Sequence, residues 1–360
     1  MNEDNDLEDI IGFDALYRSM FKCRRGVMWK DSVANYYLNG IKETLKLERQ
    51  LKTNTYVPRA PQKIQITYPK KREAVCIAFR DRVYQRSLND NALYPLITKS
   101  LIYHNIACQK GKGTDMARNE LDKFLRKAYQ KWDLDVYVLQ CDIKNYYGSM
   151  DHDKVEAMFR KYLPERYYKL TEDILRGQYR EECGYNPGSQ MIQIAGISFP
   201  NDLDHFIKEK LHIKFYLRYM DDFILIHHSL KYLKHCLERI AKFLSKQGLK
   251  LHPVKTRIFE VTKGIDFLGF QHRLTVSGKV IRTILSPNVK SRRRKLVKMS
   301  HLVFKGKLSK SKVDECQYSW VNGHAIKGNT HKVRQRMSKF YNDLWKDTYY
   351  GNKEIENVYT

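Results

Sequence analysis

Two adjacent carboxylates are the residues of this chain best suited to chemistry. Asp221 and Asp222 stand between short runs of aromatic and β-branched residues in the segment KFYLRYMDDFILI, residues 214–226. These runs predict a β-hairpin with the aspartates at its tip, although no Asn-Gly or Asp-Gly pair marks the turn. Two carboxylates between apolar strands are costly unless a cation balances them, and hard oxygen ligands suit Mg²⁺. On these residues alone, an ordinary Asp-Asp turn is the simpler interpretation.

A third carboxylate follows another predicted strand. The apolar run that starts at Val136 and ends at Leu139 is typical of a buried strand, and Asp142 stands at the end of that strand. Three converging carboxylates are the smallest set that could hold two metal ions for an in-line nucleotidyl transfer. The sequence therefore predicts a site for two Mg²⁺ ions, with Mn²⁺ as an alternative, built from Asp142, Asp221 and Asp222.

The charge of the chain favours a polyanionic partner. Among 360 residues, 66 are Lys or Arg and 40 are Asp or Glu, which gives a formal net charge of +26. An excess of this size would repel itself in the absence of a polyanion, and a basic pI is typical of proteins that bind nucleic acid. The 25 tyrosines suit stacking on bases as well as core packing.

Several classes of protein are excluded by the same composition. No run of 18 apolar residues predicts a membrane span, and the acidic start MNEDNDLEDIIGF is unlike a signal peptide. The seven cysteines are scattered without a CxxC pair, which predicts reduced thiols and no zinc site. The segment GKGT is too short for a nucleotide-binding P-loop, which argues against an ATPase. We therefore expect a cytoplasmic protein that contacts no membrane.

Hydrophobic periodicity indicates the elements that must position the carboxylates. Helical spacing predicts helices through residues 1–50, and alternation over 63–86 predicts two antiparallel strands, a turn at 68–71 and a helix. Helices joined by a loop are predicted for 161–212. A basic helix begins at Ser286, where Pro follows at the first helical position.

The order of these motifs resembles that of a reverse transcriptase. RYMDD with its apolar continuation is preceded by a strand and the segment DIKNYYGSMDH, as in the palm of that family. Five further segments resemble family motifs in the family's order: KKREAVCIAFRDRVYQRSL (70–88) in the fingers, ACQKGKGTDMAR (107–118), the glycine motif GSQMIQIAGI (188–197), GLKLHPVKT (248–256) with the late-palm lysine, and the primer-grip hairpin IDFLGF (265–270). A collinear series from about residue 50 to 270 is far more specific than YMDD alone.

The resemblance implies an α+β fold of the right-hand polymerase type, with an antiparallel palm sheet that carries the YMDD hairpin. It divides the chain into an N-terminal helical segment (1–50), fingers (51–135), a palm (136–275) that includes helices returning to the fingers at about 155–212, and a helical thumb (276–360). It also implies an RNA-directed DNA polymerase, which copies an RNA template into DNA from dNTPs.

Individual roles follow from the same resemblance. The metal ions would be bound by the three catalytic aspartates and one carbonyl: Asp142, Asp221, Asp222 and the backbone of Ile143. The nucleotide would be bound by seven residues: Arg72, Arg80, Lys71, Tyr147, Gly188, Gln193 and Lys255. The primer end would be gripped by a hairpin tip: Phe267, Leu268 and Gly269. The nucleic-acid backbone would be contacted by six basic residues: Lys110, Lys112, Arg292, Arg293, Arg294 and Lys298.

Ordinary structural roles stay open for several of these residues. Arg80 belongs to an R-D-R pattern in which one arginine could simply pair with the aspartate between them. The resemblance places Tyr147, five positions after Asp142, under the sugar, where its ring would exclude a 2′-hydroxyl. The alternative is that Tyr146 and Tyr147 are core aromatics, and one of them is expected to be. Asp204 is expected to pair with Lys208 or Arg218.

The glycine motif departs from the common family pattern. Gln193 lies five positions after Gly188, and Ile192 stands where enzymes with this spacing usually have Ser. The G-x-x-x-x-Q form resembles defence-associated bacterial enzymes and the enzymes of diversity-generating retroelements. The missing Ser modestly favours antiviral defence, with a structured noncoding RNA encoded nearby as the template.

Other functions and partners remain open at this level. A diversity-generating retroelement enzyme would work in retrohoming with a small basic accessory protein. A catalytically idle RNA-binding scaffold with a polymerase fold is disfavoured by the three intact carboxylates, and RNA-templated RNA synthesis is disfavoured by Tyr147. Beyond RNA, DNA and dNTPs, the partner could be an accessory protein, a second reverse transcriptase or a second copy of the chain.

Overall fold

The computed structural model describes residues 3–67, 72–179, 183–185 and 188–346. Helices and antiparallel strands occur together throughout these ranges, which confirms the predicted α+β fold. The chain contains two compact units. The first comprises Met1–Gly113, Leu139–Leu225 and Leu230–Ile258, and the second comprises Thr114–Val138, Ile226–Ser229 and Phe259–Thr360. The boundaries expected at 50, 135 and 275 remain predictions.

Four helices precede the first strand: α1 (Glu3–Ile11), α2 (Phe13–Cys23), α3 (Asp31–Leu38) and α4 (Gly40–Lys52). Their apolar residues recur at helical spacing, as in α2, where Ala15, Leu16 and Met20 are buried. The face of α2 that carries these side chains packs against α4 and against the helix that follows the first two strands. The helices predicted for residues 1–50 are therefore present.

An antiparallel hairpin follows, made of β1 (Gln62–Ile66) and β2 (Arg72–Cys76). Helix α5 (Phe79–Leu88) comes next, and a short turn of π-helix leads into α6 (Tyr94–Ile97). The predicted pair of strands and the helix after them are confirmed, whereas the turn predicted at 68–71 lies outside the described residues.

A four-stranded sheet in the order β4-β5-β3-β6 carries the segments with the three candidate carboxylates. Its strands are β3 (Tyr137–Asp142), β4 (Phe215–Tyr219), β5 (Asp222–His227) and β6 (Arg257–Glu260). In β5 every residue from Phe223 to Ile226 is buried, and a strand covered on both faces explains why this run shows no alternation. Five helices accompany the sheet: α8 (His152–Tyr162), α9 (Glu165–Gln178), α10 (Gln190–Ser198), α11 (Asn201–His205) and α12 (Leu230–Lys246).

The second unit contains the long helix α7 (Thr114–Trp132) and a three-stranded antiparallel sheet of β7 (Ile265–Phe267), β8 (Phe270–Leu274) and β9 (Val280–Ile284). Three helices complete it: α13 (Ser286–Phe304), α14 (Lys310–Gly323) and α15 (His331–Asp343). Their apolar side chains form one core that includes Leu296, Val313 and Met337. Helix α13 begins at Ser286, as predicted.

None of the helices in the described ranges is long and apolar enough to cross a membrane.

Candidate active site

The predicted YMDD hairpin is present, and its turn has an unusual backbone. Strand β4 ends at Tyr219 and β5 begins at Asp222, so Met220 and Asp221 form the turn. Met220 has a φ of +58°, in the left-handed region that disfavours residues with a side chain. A non-glycine residue keeps such a conformation only when its surroundings hold it there.

A buried ion pair supplies that support. The Arg218 guanidinium is fully buried and donates two hydrogen bonds of 2.7 Å, one to each carboxylate oxygen of Asp204. Arg218 also donates to the carbonyl oxygen of Met220 at 3.0 Å and to that of Ile197 at 2.8 Å. The expected pairing of Asp204 with Arg218 is confirmed. Because Arg218 donates a hydrogen bond to the carbonyl of Met220, it fixes the backbone next to Asp221 and Asp222.

Strand β3 delivers Asp142 next to this turn. The N–H of Ile143 donates to the carbonyl oxygen of Asp221 at 3.2 Å, and the carbonyl of Asp142 accepts from the N–H of His252 at 2.7 Å. The Asp142 side chain is 9% exposed. The end of β3 is therefore held from both sides, which brings Asp142 and Asp221 together as the sequence predicted. The role of the Ile143 carbonyl as a metal ligand stays a prediction.

The three carboxylates repel one another in a poorly solvated place. Burial raises the pKa of Asp221, and the charge of Asp142 adds to this effect. Burial and the charges of Asp221 and Asp142 raise the pKa of Asp222 to about 7. Lys255 lies against Asp142: its Nζ is 2.7 Å from Oδ2 of that carboxylate, and this hydrogen bond raises the pKa of Lys255. The site therefore favours a further positive charge.

These donors suit a divalent cation, because hard oxygen ligands and an excess of negative charge are what such ions require. In the part of the chain that the structure describes, no group of three or more His, Cys, Asp and Glu side chains is already arranged as a metal cage. One oxygen of Asp142 is engaged by Lys255, so an ion that binds through that oxygen would compete with the ammonium group. The Lys255 side chain is 58% exposed, which leaves it room to move.

The two aromatic residues after Asp142 have different environments. Tyr146 is buried and donates its hydroxyl to the carbonyl of Gly196 at 2.6 Å, so it is the core residue of the pair. Tyr147 is partly exposed, and its hydroxyl lies 4.0 Å from Sδ of Met220. A Cβ at position 196 would stand 2.6 Å from that hydroxyl, so Gly196 makes room for the Tyr147 ring. Tyr147 thus lies beside the turn that carries Met220 and Asp221.

A cavity of about 770 Å³ in the first unit is lined by two of the predicted nucleotide-binding residues, Arg80 and Gly188. Its charged lining is mainly basic: Lys30, Arg59, Arg80 and Arg82, with Glu43. Gly188 is required by a close approach within the protein, because a Cβ there would stand 2.5 Å from the carbonyl oxygen of Val75 in β2.

Arg80 is largely engaged by the protein itself. Its guanidinium donates to the side chain of Gln50 at 2.9 Å and to the carbonyl of Val57 at 2.8 Å, and it lies 3.4 Å from Asp81. The predicted pairing with the neighbouring aspartate is therefore present, and the triphosphate role of Arg80 stays a prediction. Lys71 and the side chain of Arg72 lie outside the described residues.

The position of Ile192 in α10 explains why an apolar residue stands where enzymes with this motif usually have Ser. Ser189 caps α10 by accepting a hydrogen bond of 3.1 Å from the N–H of Ile192. The Ile192 side chain is completely buried, whereas the side chain of Gln193 is exposed. A large apolar residue at 192 therefore fills the core of this fold, and Gln193 is free to meet a ligand.

The predicted primer-grip residues form the tip of a hairpin in the second unit. Phe267 pairs with Phe270 across the two strands, and Leu268 and Gly269 make the turn between them. Both turn residues are partly exposed, whereas the two phenylalanines are buried. Leu268 is therefore the residue whose side chain is accessible at the tip of this hairpin.

The six basic residues assigned to the nucleic-acid backbone do not share one environment. The side chains of Lys110, Arg294 and Lys298 are exposed. Lys112 donates from Nζ to the carbonyls of Tyr103 and Asn105, at 2.9 and 3.1 Å, and is less accessible.

The two remaining arginines of α13 contact their own unit. Arg292 is 7% exposed and donates to the side chain of Gln317 at 3.1 Å, which favours a packing role over a phosphate contact. Arg293 is half-buried, and its guanidinium lies over the ring of Phe340 at 5.1 Å from the centroid.

The sequence named Arg218 only as one of two alternative partners of Asp204, and it did not single out Arg118. The support that Arg218 gives to the turn could have been expected, because a charged residue inside the apolar run FYLRY needs a buried partner. Arg118 donates from Nε and Nη2 to the carbonyl of Leu268 at 3.1 and 2.9 Å. Its partner is 150 residues away, and no local pattern marks it.

The sheet and the acids at its strand ends define a polymerase of the palm type. The sequence model of a family described as reverse transcriptase (RNA-dependent DNA polymerase) matches residues 63–272, which is more than half of the chain. The chain therefore belongs to the reverse transcriptase family, as predicted. No curated protein matches it significantly.

Membership of this family establishes the general activity. The protein is an RNA-directed DNA polymerase, a nucleotidyltransferase that takes an RNA template and dNTPs and makes DNA. Reverse transcriptases generally use divalent metal ions, which agrees with the donors described above.

Proposed function

We propose that polymerisation takes place at Asp142, Asp221 and Asp222 and depends on Mg²⁺. The observation that carries this proposal is the convergence of the three carboxylates from two distant segments, linked by the hydrogen bond from Ile143 to the Asp221 carbonyl. The raised pKa values of Asp221 and Asp222 add to it, because they reflect burial together with neighbouring negative charge, and a bound cation would offset both. An RNA-binding scaffold would have no need of such a site.

Two Mg²⁺ ions would be held by the three carboxylates and the carbonyl of Ile143, and Mn²⁺ satisfies the same donors. When bound, the ions supply the positive charge that activates the primer hydroxyl and neutralises the phosphates. The chain itself orients the acids through Arg218 and Asp204. Lys255, once released from Asp142, can give a proton to the departing pyrophosphate.

Tyr147 would select deoxynucleotides. Its ring is wedged between Gly196 and the catalytic turn, so it has little freedom to move away from a 2′-hydroxyl. The triphosphate would be held by Arg72, with Lys71 as a further charge. The basic cavity lined by Arg80 and Gly188 and the exposed Gln193 on α10 would contact the nucleotide or its template.

The exposed side chains Lys110, Arg294 and Lys298 would contact phosphates of the template and product without reading sequence. Arg294 and Lys298 are separated by one helical turn, and Lys290 precedes them by another, so the three lie on one exposed face of α13. The tip at Phe267, Leu268 and Gly269 would hold the primer.

The proposed biological role is antiviral defence in the cytoplasm, with a structured noncoding RNA as template. It is supported by the G-x-x-x-x-Q form of the glycine motif without Ser before Gln193. The alternative role is retrohoming in a diversity-generating element, for which the partner would be a small basic accessory protein.

Primer extension by the purified protein with its copurifying RNA tests the proposal. Wild type and Asp221→Ala/Asp222→Ala are incubated with Mg²⁺ and labelled dNTPs or NTPs. DNA from wild type and none from the variant is the expected result, and sequencing the product identifies the template. Equal product from both proteins, or none from wild type with added primer and template, would contradict it.

The role is tested in cells that are challenged with phage. Protection by wild type that is lost in the same double variant supports defence. Survival that is unchanged by either protein, together with cDNA found inserted at a variable locus, would favour the retroelement role instead.

A further inference from the structure

The turn between β7 and β8 has a residue that its geometry disfavours. Leu268 has a φ of +46° and Gly269 a φ of +87°, so both central residues of this two-residue turn are left-handed. That is the pattern of a type I′ turn, for which Asn-Gly and Gly-Gly are preferred. A leucine in the first position is strained by its side chain. Strain at an exposed hairpin tip suggests that the side chain is kept for a function.

Arg118 of α7 holds this strained residue. Its Nε and Nη2 both donate to the Leu268 carbonyl, and its Nη1 donates to Asp115 at 2.8 Å. The guanidinium also lies over the ring of Phe270, 4.7 Å from the centroid, and the residue is only 6% exposed. Three separate contacts thus fix the plane of the guanidinium, and with it the direction of the Leu268 carbonyl.

The other turn residue is held by Asn288 in the first turn of α13 and by Leu285 just before that helix. The carbonyl of Gly269 accepts hydrogen bonds of 3.3 Å from the N–H of Leu285 and from the side chain of Asn288. Asp115, which orients Arg118, also pairs with Lys327. Both peptide groups at the tip are therefore anchored, while the Leu268 side chain stays partly exposed.

The catalytic turn uses the same device. There Met220 is the left-handed residue, and its carbonyl accepts a hydrogen bond from the buried Arg218. In each of these two turns, an apolar residue has a left-handed backbone and its carbonyl accepts a hydrogen bond from an arginine. One of them carries the catalytic aspartates.

We propose that Arg118 is a positioning residue for the primer, which rests on the proposed function of this hairpin. By fixing Leu268 in the left-handed conformation, Arg118 directs the exposed leucine side chain against the sugar of the terminal primer nucleotide. An apolar side chain suits the deoxyribose face, which offers carbon atoms rather than charge. Arg118 itself touches no substrate.

A double-mutant cycle tests this role. Arg118→Lys keeps the positive charge but cannot place two donors on one carbonyl. Asn adopts the left-handed conformation readily, so Leu268→Asn makes the support by Arg118 unnecessary. Single-turnover addition of one dNTP to a bound primer–template is measured for wild type, both single variants and the double variant. Arg126→Lys, on the exposed side of the same helix, is the matched control.

We expect Arg118→Lys to slow nucleotide addition about tenfold in the Leu268 protein, because displacement of the reacting ends is costly. The affinity for dNTP and the fraction of active enzyme should not change. In the Leu268→Asn protein, the same substitution should cost less than about twofold, because the two residues act through one contact. Arg126→Lys should match wild type.

A tenfold loss in both backgrounds would show that Arg118 does not act through Leu268, and no loss in either would remove its role altogether. A fall in active fraction at an unchanged rate would reduce Arg118 to a structural residue and overturn the proposal. Failure of wild type to extend any primer would instead refute the proposed function, and this role with it.

Discussion

The ionised Asp222 carboxylate lowers the free energy of unfolding, and this effect can be measured without any substrate. Burial and its acidic neighbours raise its pKa from an ordinary 3.8 to about 7. The folded protein therefore binds this proton more tightly than the unfolded chain, so the free energy of unfolding falls as pH rises from about 4 to about 7. At about 1.4 kcal/mol per pH unit, the full shift corresponds to about 4 kcal/mol. Because the side chain is partly exposed, screening reduces our expectation to about 2 kcal/mol.

Asp222→Asn removes this charge and keeps the shape of the side chain. In EDTA at pH 8, we expect the variant to be more stable than wild type by about 2 kcal/mol. Its stability should also vary less between pH 4 and 7. Mg²⁺ should stabilise wild type by binding only the folded state, and it should stabilise the variant much less. Thermal melting with and without Mg²⁺, over a series of pH values, measures all three effects.

The matched control is Asp135→Asn, an exposed aspartate just before β3. It should leave both the melting temperature and the response to Mg²⁺ unchanged. If Asp222→Asn is no more stable than wild type at pH 8 without metal, the three carboxylates do not repel one another as described. Equal stabilisation of variant and wild type by Mg²⁺ would place the ion elsewhere.

Three further results are expected. Tyr147→Val should raise the incorporation of NTPs relative to dNTPs by about tenfold or more, while Tyr147→Phe should not; equal discrimination by both would exclude this ring as the selector. Asp204→Asn should destabilise the protein in denaturant titrations by about 3–5 kcal/mol, because Arg218 loses its buried partner. Asp202→Asn, in an exposed pair with Lys161, should cost under about 1 kcal/mol, and similar losses would contradict the assigned burial. Lys298→Gln should lower the slope of log affinity for a primer–template against log salt by about one, and an unchanged slope would mean that Lys298 meets no phosphate.

Much of the first unit could be predicted because its signals are local. The apolar run from Phe223 to Ile226 predicts a strand from local sequence alone. The alternation of Phe215 and Leu217 with their neighbours predicts another strand in the same way. The aspartates at their junction could then be placed at a tip, and helical spacing located the helices on either side. The position of Asp142 at the end of a predicted strand made it a candidate third acid, and the ordered set of family motifs gave the specific reason to join it to the other two.

Side-chain partners far away along the chain could not be predicted in the same way. Arg80 is engaged by Gln50 and Val57, and Arg292 by Gln317, so basic residues that look alike in the sequence differ in their freedom to bind phosphate. Such pairs form only when the fold brings their segments together. The burial of Ile192, which explains its departure from Ser, is likewise a property of the packed helix.

The buried guanidinium of Arg218 also connects three separate segments of the first unit through hydrogen bonds. It donates hydrogen bonds to the carbonyl of Ile197 near the end of α10, to the carboxylate of Asp204 in α11 and to the carbonyl of Met220 in the turn between β4 and β5. These three parts cannot shift independently without breaking a hydrogen bond that no water can replace. The position of α10, on which Gln193 is exposed, is therefore coupled through Arg218 to the backbone beside Asp221 and Asp222.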